Sequence, residues 1–297
     1  MSNVDKVLVL GCAGMLGHKI FCELNARGAN VIGTVRWENP PEPLSKVPFL
    51  QAKNVLRGID AGDLDLLTRI LQHERPGIIV NCVGVIKQRG ESHEAIPSIK
   101  INSLLPHVLA EKANAYGGKV IHFSTDCVFS GKDGLYEEDS FADADDLYGR
   151  SKFLGELHDK NSLTLRTSII GRELSNFASL LEWFLSQEGR CNGYRKVIYS
   201  GVTTNYLAAR VADLIADDLP IRGLYQVAGS PISKFELLRK LKSAYQKDIE
   251  IDPVDEPAHD KSLIGDRFEA ETGYKTPSWD DMVYEMAADE TPYADWR

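Results

Sequence analysis

The chain has 297 residues, long enough to bury the core of one large α/β domain or two modest ones without disulfides or a metal. Apolar residues make up 43% and charged residues 26%, which leaves no room for a long disordered tract. Against 43 Asp and Glu stand 34 Lys and Arg, a net charge of −9, and no basic run offers a footprint for a phosphate backbone, so no nucleic-acid partner is expected.

From Lys6 onward, short β-branched runs alternate with longer amphipathic stretches, the pattern of β-α-β units stacked into a parallel sheet. Val7–Leu10, Val31–Val35, Ile78–Asn81, Val120–Ser124 and Leu163–Arg166 read as strands. Met15–Arg27, Leu64–Glu74, Ile99–Ala115 and Tyr148–His158 read as helices, with apolar residues at three- and four-residue spacing. Between Glu38 and Pro48, Pro40, Pro41, Pro43 and Pro48 bar a central strand or a helix interior and predict an exposed connection. After Arg166 the rhythm loosens: Phe177–Gln187, Tyr206–Asp217 and Lys234–Ala244 look helical, and Gly223–Val227 looks like one more strand. The C-terminal stretch, rich in Pro, Asp and Glu, predicts a smaller lobe over the carboxyl edge of the sheet.

Cys12, Cys22, Cys82, Cys127 and Cys191 are odd in number and form no C-x-x-C pair, so neither a disulfide framework nor a thiolate zinc site is suggested. The histidines form no H-E-x-x-H pair, and no catalytic metal is expected. No apolar run approaches the ~20 residues of a membrane span, and Val7–Leu10 is too short for a signal-peptide core. A soluble, cytoplasmic protein without a membrane partner is the expectation.

The first strand runs straight into Gly11-Cys12-Ala13-Gly14-Met15-Leu16-Gly17, followed by a helix. In such a G-x-x-G-x-x-G turn the first glycine permits the tight bend, the second lets a pyrophosphate approach, and the third allows close helix packing. The phosphates then face the N–H groups at a helix start. Gly11, Gly14, Met15, Leu16 and Gly17 are therefore candidate dinucleotide contacts, a strand-to-helix turn with incidental glycines being the alternative. At the end of the second strand the chain reads Thr34-Val35-Arg36-Trp37, with no carboxylate before Glu38 to grip the ribose 2′-OH of NAD. A guanidinium at Arg36 suits a 2′-phosphate, so NADP(H) is preferred and NAD(H) is second; a solvated surface Arg is the alternative. The fold class expected is α/β, a doubly wound parallel sheet (Rossmann) with a smaller C-terminal substrate-binding lobe. Residues 1–166 plus about 197–228 would form the dinucleotide-binding domain, and about 167–196 with 229–297 the lobe.

Of the 11 tyrosines only Tyr148 has a Lys four residues on, in Tyr148-Gly149-Arg150-Ser151-Lys152. That spacing puts both side chains on one helix face. Upstream, a strand ends in Ser124-Thr125-Asp126 and delivers hydroxyls to the same sheet edge. Glycine turn, strand-end Ser/Thr and Tyr-x-x-x-Lys together resemble the extended short-chain dehydrogenase/reductase superfamily. More narrowly, Ser124-Thr125-Asp126-Cys127-Val128-Phe129-Ser130-Gly131, Gly134, Tyr136 and Leu147-Tyr148-Gly149-Arg150-Ser151-Lys152 resemble the dTDP-4-dehydrorhamnose reductase-like family. Leu165-Arg166-Thr167-Ser168 and Gly229-Ser230-Pro231-Ile232-Ser233 extend the likeness.

The resemblance implies hydride delivery from a reduced nicotinamide to the keto carbon of a nucleotide-linked 4-keto-6-deoxysugar, with Tyr148 supplying the proton. Lys152 would stabilise the phenolate and hold the nicotinamide ribose, and Thr125 would hydrogen-bond the carbonyl oxygen. By the same resemblance Asp60, Cys82, Val83, Gly84, Asn102 and Ser124 join the cofactor contacts, with an ordinary loop Asp as the alternative for Asp60. Asp126, Cys127 and Asn176 would meet the substrate, a helix N-cap being the alternative for Asn176. Relatives often pair through helices flanking the sheet, so a homodimer is an open expectation. Two departures stand out: Cys127 where many relatives have Tyr, and Ile169-Ile170 where an aromatic residue is usual. Cys127 also stands where dehydratases of the superfamily carry Glu, which disfavours elimination. Two rivals remain: a non-catalytic NADP-binding subunit resembling the regulatory subunit of methionine adenosyltransferase, and a bifunctional epimerase/reductase. Gly189-Arg190-Cys191-Asn192-Gly193 mimics a nucleophile elbow, but the stretch before it reads as helix, so a helix-ending loop is expected.

Overall fold

The structure is a computed structural model that describes residues 6–85, 94–218 and 220–296. The first half runs β1 (Val7–Leu10), α1 (Met15–Ala26), β2 (Val31–Thr34), β3 (Val55–Leu56), α2 (Leu64–Glu74), β4 (Ile78–Asn81), α3 (Ala95–Ser98), α4 (Leu105–Asn114), β5 (Lys119–Thr125), α5 (Leu147–Leu154) and β6 (Ser162–Thr167). The second half runs β7 (Ile169–Ile170), α6 (Leu180–Ser186), β8 (Gly189–Tyr194), β9 (Val197–Tyr199), β10 (Val202–Thr203), α7 (Thr204–Ala216), β11 (Gly223–Gln226), β12 (Ile232–Ser233), α8 (Lys234–Ala244), β13 (Ile249–Val254), β14 (His259–Asp260), α9 (Asp266–Thr272) and α10 (Trp279–Ala287).

Seven parallel strands form one sheet in the order β11-β6-β5-β4-β1-β2-β3. Both faces are covered, as the continuous apolar runs require. Along β1, Val7 and Val9 enter a core with Ile20 and Phe21 of α1 and Val211 of α7, while Leu8 and Leu10 enter a second core with Leu67 of α2 and Leu109 of α4. The strand order reverses between β1 and β4, which opens a crevice at the carboxyl ends of the strands. Smaller sheets, β10-β7, β12-β9-β14 and β13-β8, lie in the C-terminal half. The α/β class read from the sequence is borne out.

Several boundaries differ from the sequence reading, each for a local reason. The helix expected over Ile99–Ala115 starts at Ala95 and passes through a π-helical stretch, Ile99–Leu104, before α4. The helix expected over Tyr148–His158 ends at Leu154, and a Cβ on the following Gly155 would lie 1.9 Å from the Asn102 carbonyl oxygen, so the chain there is pressed against its neighbour. α6 starts at Leu180 rather than Phe177, because Asn176 and Phe177 both hold positive φ, 69° and 49°, outside a right-handed helix. Gly189–Tyr194 is a strand paired with β13, not a helix-ending loop, and Cys191 is buried on it. The proline-rich connection is anchored rather than simply exposed, since Leu44 and Val47 sink into the core. β3 was too short to register as a periodic run. After α10 the chain returns to α1, where Asp289 meets Lys19 at 2.7 Å.

Candidate active site

A cleft of about 1040 Å³ lies along the carboxyl ends of β1, β4, β5 and β6. On its dinucleotide side, Gly11 sits at φ +79°, and a Cβ there would lie 2.9 Å from Val83 Cγ2. Gly14 caps α1 without any side-chain cap hydrogen bond. Gly11, Gly14, Met15 and Leu16 line the cleft. Gly17 does not; it lies behind the turn, where a Cβ would come within 2.2 Å of the Gly11 carbonyl oxygen, so only glycine lets the helix start this close. Such a bare cradle at a helix start fits the pyrophosphate of a dinucleotide. Arg36, Asp60, Cys82, Val83 and Gly84 also line this half. Arg36 is exposed, with its guanidinium carbon 4.9 Å from the Trp37 ring centroid. The Asp60 carboxylate accepts from the Gly62 amide at 2.8 Å, which closes the turn after β3.

Thr125, Tyr148 and Lys152 all reach the cleft. Thr125 ends β5, where its hydroxyl donates to Asp126 Oδ1 at 3.0 Å and accepts from the Cys127 amide at 3.1 Å. Tyr148 lies in the first turn of α5, which starts there because the Asp146 carboxylate caps the Gly149 amide at 2.7 Å. Burial raises the Tyr148 phenol well above its ordinary pKa, with the Thr125 hydroxyl acting in the opposite direction. Lys152, one turn on, donates to the Phe123 carbonyl at 2.6 Å. Burial lowers its ammonium from 10.5 to about 8, against the pull of the Glu156 carboxylate. The phenol is thus held protonated at neutral pH, and the ammonium is anchored to strand backbone rather than to the phenol.

Two expected cofactor contacts act differently. The Ser124 hydroxyl lines the cleft but donates to Glu156 at 2.6 Å, and Glu156 also receives Arg166 at 3.0 and 2.8 Å. With Arg166 and Glu156 only 2% and 0% exposed, this is a closed buried pair, costly to break by removing one partner. Asn102 does not line the cleft. It is fully buried, exchanges two hydrogen bonds with the Val85 backbone at 2.9 and 3.0 Å, and donates to Ser151 Oγ at 3.1 Å. Asn102 thus ties the segment after β4 to α5.

On the opposite side, Asp126 is buried, and burial raises its carboxyl pKa while Lys261 pulls it down. Cys127 is half-buried beside it on the cleft wall. Asn176 lines the cleft but is exposed, and it caps no helix, because α6 starts after Ser179. Sequence reasoning missed Lys234, Lys261, His259 and Tyr199, which line the same wall. Lys234 is the first residue of α8, and the Ser233 cap, whose hydroxyl accepts from the Glu236 amide, was a legible signal for its position. Lys234 and Lys261 both interact electrostatically with the buried Asp126 carboxylate.

The family model described as RmlD substrate binding domain matches residues 5–291. The chain belongs to this family. The resemblance read from the sequence, to the extended short-chain dehydrogenase/reductases and the dTDP-4-dehydrorhamnose reductase-like family within them, is thereby borne out. The chain is 27% identical over 235 residues to the spore coat polysaccharide biosynthesis protein SpsK of Bacillus subtilis, covering 77% of this chain and 75% of that one. It is 22% identical over 263 residues to methionine adenosyltransferase 2 subunit beta of Xenopus tropicalis, covering 81% and 72%. Its fold matches the crystal structure of dTDP-4-dehydrorhamnose reductase from Bacillus anthracis in complex with NADP, with a TM-score of 0.78 and 21% identity over 95% of this chain and 98% of that one.

Proposed function

We propose that this RmlD-family protein is an NADP(H)-dependent reductase of a nucleotide-linked 4-keto-6-deoxysugar. The observation that carries the reading is the convergence of Thr125, Tyr148 and Lys152 on one cleft wall beside a bare glycine turn. Gly11, Gly14, Met15 and Leu16 would hold the pyrophosphate, Arg36 the 2′-phosphate, and Asp60 with Cys82–Gly84 the adenosine and ribose walls. A bound reduced nicotinamide supplies the hydride. Tyr148 keeps its proton on the phenol oxygen and donates it to the substrate oxygen as that oxygen becomes an alkoxide. The Thr125 hydroxyl donates a hydrogen bond to the same oxygen. Lys152, cationic below about 8, then stabilises the phenolate that Tyr148 becomes. Lys234 and Lys261, two lysines on the far wall near Asp126, suit the substrate diphosphate.

NADPH oxidation against a panel of dTDP-, UDP- and GDP-linked 4-keto-6-deoxysugars tests this. One member should turn over, and Tyr148→Phe should lower kcat by roughly 10²- to 10⁴-fold while dinucleotide affinity stays near wild type. No oxidation with any member, or an unaffected Tyr148→Phe rate, sinks the proposal. A second reading, a dinucleotide-binding regulatory subunit, is favoured by the likeness to methionine adenosyltransferase 2 subunit beta. Under it the panel stays silent and the protein co-purifies with a larger enzyme.

A further inference from the structure

His18, in the first turn of α1 directly behind Gly17, is fully enclosed at 1% exposure. Its Nδ1 lies 2.9 Å from the Gly14 carbonyl oxygen, and its Nε2 lies 2.7 Å from the Tyr293 hydroxyl. A carbonyl oxygen only accepts, so Nδ1 carries the hydrogen. Burial holds the imidazole neutral, its pKa pushed down from 6.5 to about 4, so Nε2 is bare and accepts the Tyr293 O–H. The donors therefore run in one direction, from Tyr293 O–H to Nε2 and from Nδ1–H to the Gly14 oxygen.

That oxygen matters because of the peptide it belongs to. The Gly14 carbonyl and the Met15 amide share one planar trans unit and point in opposite directions. The carbonyl already accepts the His18 amide at 3.0 Å, and the ring adds a second bond from another direction. Two donors on one oxygen fix the rotation of the plane, and with it the aim of the Met15 N–H at the start of α1. Gly14 has no side chain to do this, and it caps the helix without a side-chain hydrogen bond.

Tyr293 is itself held firmly, in the segment that follows α10. The Arg172 guanidinium carbon sits 4.7 Å over its ring and the Trp296 ring centroid 6.0 Å away. A few residues earlier, Asp289 binds Lys19 of α1 at 2.7 Å and Asn205 of α7 at 3.2 Å. The relay thus starts from an anchored phenol.

We infer that His18 and Tyr293 are positioning residues for the dinucleotide: a relay from the C-terminal segment through the imidazole fixes the Gly14–Met15 peptide against which the pyrophosphate packs. This rests on the dinucleotide role proposed above for the glycine turn. Tyr293→Phe keeps the ring against Arg172 and Trp296 and removes only the hydroxyl. The lost donor leaves a buried acceptor unsatisfied, and the expected result is NADPH binding weakened about tenfold, with affinity for the nucleoside diphosphate dTDP or UDP unchanged. In a His18→Leu background, Tyr293→Phe should have no further effect on NADPH binding. Equal costs in both backgrounds overturn the relay, as does an unchanged Kd. The tautomer gives a readout that needs no variant: ¹⁵N NMR of the wild-type His18 ring should show protonated Nδ1 and pyridine-type Nε2, and the reverse tautomer overturns the inference. Should wild type bind no dinucleotide at all, the functional reading fails with it; should it bind while Tyr293→Phe binds equally, only the relay fails.

Discussion

The half of the cleft beside the turn after β1 is shaped by bare backbone as well as by side chains such as Arg36 and Asp60, and the opposite half by side chains. The turn after β1 offers bare glycines, with Gly11 at φ +79°, and behind it a Cβ on Gly17 would come within 2.2 Å of the Gly11 carbonyl oxygen. The opposite wall offers Asp126, Lys234, Lys261 and Tyr199, drawn from four separate stretches of chain. Under the proposed function, the glycines of the first wall would tolerate almost no substitution and select little beyond a phosphate shape. The second, under the proposed function, would tolerate more and set which sugar and which base enter. Backbone sites carry what every member of a fold must bind, whereas side-chain sites carry what one member must distinguish.

The sharpest way to break this contrast is Gly17→Ala. Its methyl meets backbone, which cannot rotate away, so α1 must shift off the turn at a cost of about 1–3 kcal/mol in stability. Dinucleotide binding should fall by on the order of a hundredfold, read by NADPH fluorescence titration alongside a thermal melt. Binding within a few-fold of wild type would show that the turn is more pliable than its packing implies.

The next test moves to the middle of the cleft. Lys152 has its ammonium lowered from 10.5 to about 8, so the cation is present below that pH and lost above it. If it stabilises the Tyr148 phenolate, kcat/KM for the sugar should be flat to about pH 8 and then fall about tenfold per unit. In Lys152→Arg the cation persists, and this alkaline limb should move upward. A limb that stays at about 8 in that variant would place the titration elsewhere. The sign for stability is separate: a base lowered by burial binds fewer protons folded than unfolded. Between about 8 and 10.5 stability therefore declines as pH falls, and below that window the full cost of burying the cation is present.

How much of this was legible follows from the same contrast. The glycine turn, Tyr148 and Lys152 could be read because each is local: a spacing within a few residues on a strand-turn-helix or a single helix face. The contacts of Asn102 were not legible, because the amide that ties Val85 to Ser151 sits on a π-helical stretch that no periodicity reveals. Lys234 and Lys261 gave no pattern, since their neighbour Asp126 lies far away in sequence and only the fold of β9, β14 and α8 brings them together. Short elements such as β3 and β8 escaped for the related reason that a strand of few residues, or one rich in glycine, has no alternation to count.

Lys234→Met and Lys261→Met address the substrate wall directly. Each keeps the length and packing of the side chain while removing a charge that acts on the buried Asp126 carboxylate, so a thermal melt should shift only modestly. Each should raise KM for the nucleotide sugar roughly fivefold to tenfold and leave the NADPH Kd unchanged. Equal losses for both ligands would mean the two walls are not separable.

Arg36→Ala asks whether the dinucleotide side has any side-chain selectivity of its own. Arg36 is exposed and rests on the Trp37 ring at 4.9 Å, so its removal disturbs no core contact. Because solvent screens an exposed guanidinium, its contact with a 2′-phosphate is worth less than a buried one, and the expected loss for NADPH is only about threefold to tenfold. NADH lacks that phosphate and should bind as before. The ratio of the two affinities is therefore the measurement. A ratio that does not move would leave this half of the cleft recognising its ligand through backbone alone, with the choice between the two dinucleotides made elsewhere.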